Sequence, residues 1–140
     1  MVFIGSYEHS IDEKNRLAIP AKFRSQWDPE RDGGGFVIVP GRPAGTLWLY
    51  TDRHFDQIAA RSESGLNPDA RDLAFDQRYF PLAQSAELDS QGRILIPEKM
   101  LRKANLGREV VICGVRDHLE IRPRADFERM VDQCWDSFGQ

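Results

Sequence analysis

Residues 12–20 read DEKNRLAIP, and residues 89–97 read DSQGRILIP. Each is Asp-x-x-x-Arg, two further residues, then Ile-Pro. Asp12/Asp89, Arg16/Arg93, Ile19/Ile96, Pro20/Pro97 and Lys22/Lys99 are identical at a constant offset of 77 residues. A charged pair, an apolar residue and a proline kept in step point to a repeated unit, and that repeat governs the reading of the whole chain.

Around the first copy, VFIGSYEHSI (2–11) alternates and is rich in β-formers. DEKN turns the chain, and RLAIP continues as a short strand, so the segment reads as a hairpin with one buried face. Pro20 stops the ladder for want of an N–H and starts a short helix over AKFRSQW, with Phe23 and Trp27 on one face. DPERDGGG reads as a polar loop. FVIVP (36–40) and TLWLY (46–50) predict a second hairpin.

The second arm repeats this order. QSAELDSQGRILIP (84–97) predicts strand, turn and strand, and EKMLRKANL (98–106) a helix closed at Leu106-Gly107. VVICGV (110–115) and HLEIRP (118–123) match the second hairpin. The offset there is 72, through Leu47/Leu119, Leu49/Ile121 and Phe55/Phe127, so the length change falls in the loop after the short helix, where it is tolerated.

Helical patterns follow each arm. TDRHFDQIAARS (51–62) has Asp52 as N-cap and Phe55, Ile58 and Ala59 on one face. A second middle helix follows Asn67-Pro68, with Leu73, Phe75 and Phe80 as apolar contributors. RADFERMVDQCWDSF (124–138) carries an apolar stripe of Phe127, Met130, Val131, Cys134, Trp135 and Phe138, expected to pack in the core or against another subunit. The predicted organisation is a first repeat over 1–51, a helical linker over 52–80, a second repeat over 81–123 and a C-terminal helix over 124–140. The class is α+β, mainly β with flanking helices. Neither arm alone is long enough for a secure core, so the two are expected to close on each other with approximate twofold symmetry.

The repeated motif has a definite local chemistry. Asp12 and Asp89 are placed to accept backbone N–H groups two or three residues on, as in an Asx turn. Asn15 and Gly92 precede the arginines, and both tolerate positive φ. Lys14 and Gln91 lie at the loop tips, beside Glu13 and Ser90. Two roles fit such a loop. Asp and Arg can simply brace a hairpin by a salt bridge, which when exposed is worth only about 0–1 kcal/mol. Alternatively, a rigid turn can project the arginine fork towards phosphate or a guanine edge.

Charge and composition narrow the classes. The chain has 140 residues, 41% of them hydrophobic, which suits a packed domain. No apolar run approaches the roughly 20 residues that span a bilayer. The N-terminus lacks a basic start followed by a long apolar stretch, so no signal peptide is read. Cys113 and Cys134 form no CxxC pair and are expected to be small buried hydrophobes. The net charge of −3 argues against coating nucleic acid by bulk charge. A local basic face remains available: Lys14, Arg16, Lys22 and Arg24, with Arg93, Lys99, Arg102 and Lys103. Lys22, Arg24 and the helix residues of the second arm read equally well as ordinary solvated charge.

The paired motifs DEKNR and DSQGR, each followed by an apolar strand and Ile-Pro, resemble the MraZ family of AbrB-like transcription factors. The resemblance runs from MVFIG through both motifs and the helical middle DLAFDQRYFPLAQSAELD to the second arm. It implies a pseudo-twofold, duplicated swapped-hairpin β-barrel. It further implies a bacterial regulator encoded at the head of the division and cell-wall gene cluster. Such a protein binds short direct repeats of double-stranded promoter DNA upstream of its own gene and represses it. It also implies a homo-oligomeric ring, octameric or larger, in the cytoplasm at the nucleoid, with no membrane and no cofactor. Carried over by motif, the DNA-binding residues are Asp12, Lys14, Asn15, Arg16, Asp89, Gln91 and Arg93. Asn15 departs from the family's usual glycine, and Glu13 sets a negative charge at the first tip. In a ring, weak contacts from several subunits add as avidity.

Two other classes compete. An enzyme would draw on Asp12, Asp89, His9, His54 and His118, but no HExxH, P-loop, nucleophile elbow or metal-spaced Cys/His cluster is present. His54, near a helix start, and His118, in a loop before a strand, read as surface or capping residues. A scaffold ring that binds protein partners would not depend on the loop arginines.

Overall fold

The computed structural model describes residues 2–61 and 70–139; the Asn67-Pro68 helix start lies outside them. The chain is α+β. In order it runs β1 (Ser6–Ser10), β2 (Arg16–Ala18), α1 (Ala21–Ser25), α2 (Pro29–Asp32), β3 (Gly35–Pro40), β4 (Leu47–Thr51) and α3 (Asp52–Arg61). It continues with α4 (Ala70–Tyr79), β5 (Gln84–Glu87), β6 (Arg93–Leu95), α5 (Glu98–Ala104), β7 (Glu109–Val115), β8 (His118–Pro123) and α6 (Arg124–Phe138).

Both long hairpins form as their β-branched and aromatic runs predict. Ile38 lies opposite Leu49 in β3–β4, and Ile112 opposite Ile121 in β7–β8. The first hairpin of each arm does not form a ladder. β1 pairs with β7, β5 with β3, and β2 with β6, all antiparallel. The six-stranded sheet has the order β1-β7-β8-β4-β3-β5, and β2–β6 stands apart. The larger sheet is open, with β1 and β5 at its edges. Partner choice follows burial. Leu17 and Ile94 come opposite each other and are fully buried, which a hairpin confined to one arm would not achieve.

One core serves both arms. Phe3, Leu17, Ile19, Phe23, Phe36, Ile38 and Leu49 of the first pack with Ile94, Ile96, Val110, Ile112, Leu119 and Ile121 of the second. The register of β4 with β8 sets Leu47 against Ile121 and Leu49 against Leu119, so equivalent positions meet about the Trp48–Glu120 pair.

Several local expectations need correction. Residues 2–11 are not one strand. Gly5, at φ 93°, breaks it, leaving Phe3 in an isolated bridge to Arg116. The DPERDGGG loop contains a short helix, because Asp28 caps it by accepting Glu30 N–H at 3.0 Å and Pro29 suits its first position. Thr51, rather than Asp52, caps α3, its Oγ1 accepting from His54 N–H at 3.3 Å. α5 closes on Asn105 in the left-handed region (φ 54°), two residues before the expected glycine.

The C-terminal helix departs from a core helix. Phe127, Met130 and Val131 are half-buried, whereas Cys134 is exposed, Trp135 is 75% exposed and Phe138 is 87% exposed. Its packing against β7 and β8 covers only the first part of the stripe. Cys113 is buried as expected, and burial pushes its thiol up to about 11.

Candidate nucleic-acid interface

The two Asp-x-x-x-Arg segments fold into the same loop. Asp12 Oδ1 accepts the N–H groups of Lys14 at 2.9 Å and Arg16 at 2.8 Å, and Oδ2 accepts Arg16 Nε–H at 2.8 Å. Asp89 Oδ1 accepts Gln91 N–H at 2.8 Å and Arg93 N–H at 2.9 Å, and Oδ2 accepts Arg93 Nε–H at 3.0 Å. The bases close alike, Asp12 N–H on the Arg16 carbonyl and Asp89 N–H on that of Arg93. Asn15 (φ 63°) and Gly92 (φ 75°) take the left-handed position that the turn requires. The backbone N–H of Arg16 is the main cause that lowers the Asp12 carboxyl below its ordinary value, and that of Arg93 acts likewise on Asp89.

The brace and the projecting arginine turn out to be compatible. Each aspartate engages the Nε edge and leaves the η-nitrogens of the fork outside that bond. The Arg16 side chain is 32% exposed and that of Arg93 25%, so neither side chain is sealed from solvent.

The β2–β6 ladder sets the loops side by side. Ile19 N–H donates to the Gly92 carbonyl at 2.9 Å, and Ile96 N–H to the Asn15 carbonyl at 2.8 Å, so each loop is bonded to the strand leaving the other. Arg93 Nη1 lies 4.0 Å from Asp12 Oδ2, an ion pair across the two loops. Asp12, Asn15, Arg16, Asp89 and Arg93 are thereby brought together, with Lys14 and Gln91 exposed at the tips.

Two further arginines hold these loops. Arg108 Nη1 donates to the carbonyls of Ile11 at 3.2 Å and Asp12 at 2.5 Å. Arg24 Nε–H donates to the Ile19 carbonyl at 3.0 Å, and its guanidinium lies over Gly92. The Arg108 bonds and the seat of Arg24 on Gly92 cross between the arms, so neither follows from local spacing. The Asn15/Gly92 difference was the available clue.

The acid–base candidates fall into separate groups: Asp12 and Asp89 at the loops, His9 on β1, and His54 and His118 about Asp117. Asp12 and Asp89 are held by their own loops, and His9 lies on β1 opposite Val110. His118 is neither a surface nor a loop residue. It opens β8, buried, with Nδ1 at 2.8 Å from Asp117 Oδ1 and Nε2 at 2.8 Å from Glu120 Oε2. Arg122 Nη2 donates to Glu120 Oε1 at 2.8 Å, and His54 Nε2 lies 3.3 Å from Asp117 Oδ2. Strand alternation puts Glu120 and Arg122 on the sheet face opposite the core residues Leu119 and Ile121. Burial opposes charge on His118, but hydrogen bonds to Glu120 and Asp117 outweigh it and raise its pKa. The row clamps His118 between Asp117 and Glu120, with His54 of α3 at ion-pair distance from Asp117 but making no hydrogen bond to it.

The family profile described as "MraZ protein, putative antitoxin-like" matches residues 2–76 and 80–139. A protein of Mycoplasmoides gallisepticum named Transcriptional regulator MraZ is 34% identical over 139 residues, covering 99% of this chain and 94% of the relative. Its namesake in Pediococcus pentosaceus is 33% identical over 137 residues, covering 98% and 92%. That of Moorella thermoacetica is 37% identical over 139 residues, again covering 98% and 92%.

Proposed function

This chain belongs to the MraZ family, and we propose that it represses the division and cell-wall gene cluster by binding short direct repeats upstream of its own gene. It is a transcription regulator rather than an enzyme, as membership of this family entails. Asp12, Lys14, Asn15, Arg16, Asp89, Gln91 and Arg93 form the DNA-binding surface. The two arginines supply the readout, and Asp12 and Asp89 hold them to it. Lys14 and Gln91 lie where the tips meet the duplex.

One observation carries this reading. Two loops with the same hydrogen bonds, each closed by a left-handed residue, stand side by side on the β2–β6 ladder with both arginine side chains partly exposed. Pre-oriented forks of this kind suit phosphate oxygens and guanine edges. The exchange of β1 and β5 between arms supports a duplicated swapped hairpin, with repeats over 1–51 and 81–123, a linker over 52–80 and a C-terminal helix over 124–140.

Function as a homo-oligomeric ring in the cytoplasm, at the nucleoid, completes the proposal. The exposed Trp135 and Phe138 support contact between subunits, because a pair of large aromatics left in water is costly. A ring also offsets the acidic balance of the chain, since each subunit needs only a small basic face. Fluorescence anisotropy with a duplex carrying the protein's own upstream region tests the reading. Salt-sensitive binding that Arg16→Ala/Arg93→Ala abolishes is expected; equal affinity of the wild type and a double variant that still assembles would overturn it.

A further inference from the structure

The two loops share a backbone and differ in what rests on them. Gly92 is buried beneath Arg24. A Cβ there would meet Arg24 Nη1, Cζ and Nε at 2.7, 2.8 and 2.9 Å. With Nε–H also bound to the Ile19 carbonyl, the guanidinium is fixed between the first arm's backbone and the second arm's loop. The residue equivalent to Arg24 by the offset of 77 is Leu101, which lines the recess beside Asn15. Thus the second loop receives a cation where the first receives an apolar neighbour.

Charge makes that difference count. The formal charges of Asp12, Glu13, Lys14 and Arg16 cancel, as do those of Asp89 and Arg93, while Ser90 and Gln91 are neutral. Arg108 stands at the base of the first loop with Nη1 occupied by two carbonyls. Arg24 is exposed, and among the described residues no carboxylate pairs with it. It lines a recess with Asp89, Ser90 and Gly92. A planar fork that is held at Nε and has no carboxylate on its η-nitrogens among the described residues matches the geometry of a phosphate.

We infer that Arg24 is a phosphate-binding residue of the second loop, gripping one oxyanion of the DNA backbone where that loop meets the duplex. The inference rests on the DNA-binding reading above and adds a contact blind to sequence. Gly92 then meets two demands, a left-handed turn and a seat for the guanidinium.

The test compares Arg24→Gln and Arg24→Lys with the wild type. Binding is measured across a salt series to the protein's upstream duplex and to a random duplex. Arg24→Gln is expected to weaken both complexes by the same factor and to flatten the slope of log K against log salt by about 0.9 per bound subunit. Arg24→Lys keeps the charge and should keep the slope. An unchanged slope in Arg24→Gln would refute the assignment. So would a loss confined to the upstream duplex, or equal losses in both variants, which would mark a positioning role. Wild-type protein that binds neither duplex would overturn the regulator reading itself, an outcome distinct from these.

Discussion

Leu17 lies directly opposite Ile94 at the centre of the two-stranded β2–β6 ladder, and both are fully buried. Arg16 and Arg93 sit one step either side, opposite Leu95 and Ala18. This apolar pair and the backbone bonds beside it set the register of the two Asp-x-x-x-Arg loops. Leu17→Ala should cost about 2–5 kcal/mol, the range for a buried leucine truncated in a packed core. Denaturant unfolding would measure it, and coupling to Ile94→Ala in a double-mutant cycle would confirm the contact.

Arg16→Ala and Arg93→Ala should each weaken binding to the upstream duplex by about 1–3 kcal/mol, roughly 5- to 150-fold, with the melting temperature little changed. Both side chains are partly exposed, and their ion pairs add little stability. A titration of each variant, paired with a thermal melt, separates lost contact from lost fold.

Gly92→Ala and Asn15→Gly should differ in outcome. An alanine at φ 75° bears the left-handed penalty of about 1–2 kcal/mol and also crowds the Arg24 guanidinium, whereas glycine at position 15 removes strain. The first variant should lower Tm and DNA affinity, and the second should preserve both.

Stability should respond to pH at two separate places. Asp12 and Asp89 have lowered folded-state values, caused first by the N–H groups of Arg16 and Arg93. Their contribution is present above the unfolded value of 3.8 and is lost as pH falls through the lowered folded values. His118 is raised, so the contribution of its clamp is full below 6.5 and is lost as pH rises through the higher folded value. Tm measured against pH should therefore fall on the alkaline side in the wild type, and that decline should disappear in His118→Gln.

Trp135→Ala and Phe138→Ala should shift the protein to smaller species in light scattering while leaving the circular dichroism spectrum unchanged, since both side chains are exposed. Phe127→Ala should lower Tm as well, because that ring is half-buried near the sheet.

Much of the site was legible in the chain because its determinants are local. Asp12 and Asp89 bond to groups two and four residues on, and the left-handed residue before each arginine is written as Asn or Gly. The same locality made β3–β4 and β7–β8 readable as hairpins. Arg108, the seat of Arg24 on Gly92 and the buried charge row at His118 were not legible there, because those partners are assembled by the fold. Arg108 and Asp12, for instance, are 96 residues apart.

By itself, the sequence determined the two Asp-x-x-x-Arg turns, the β3–β4 and β7–β8 hairpins and the repeat of the motif, since hydrogen-bond geometry over five residues and alternation over six need no distant partner. The tertiary structure alone decided that β1 and β5 cross to the opposite arm and that the two loops stand together. Those choices depend on which pairing removes Leu17 and Ile94 from water, and burial is a property of the whole chain.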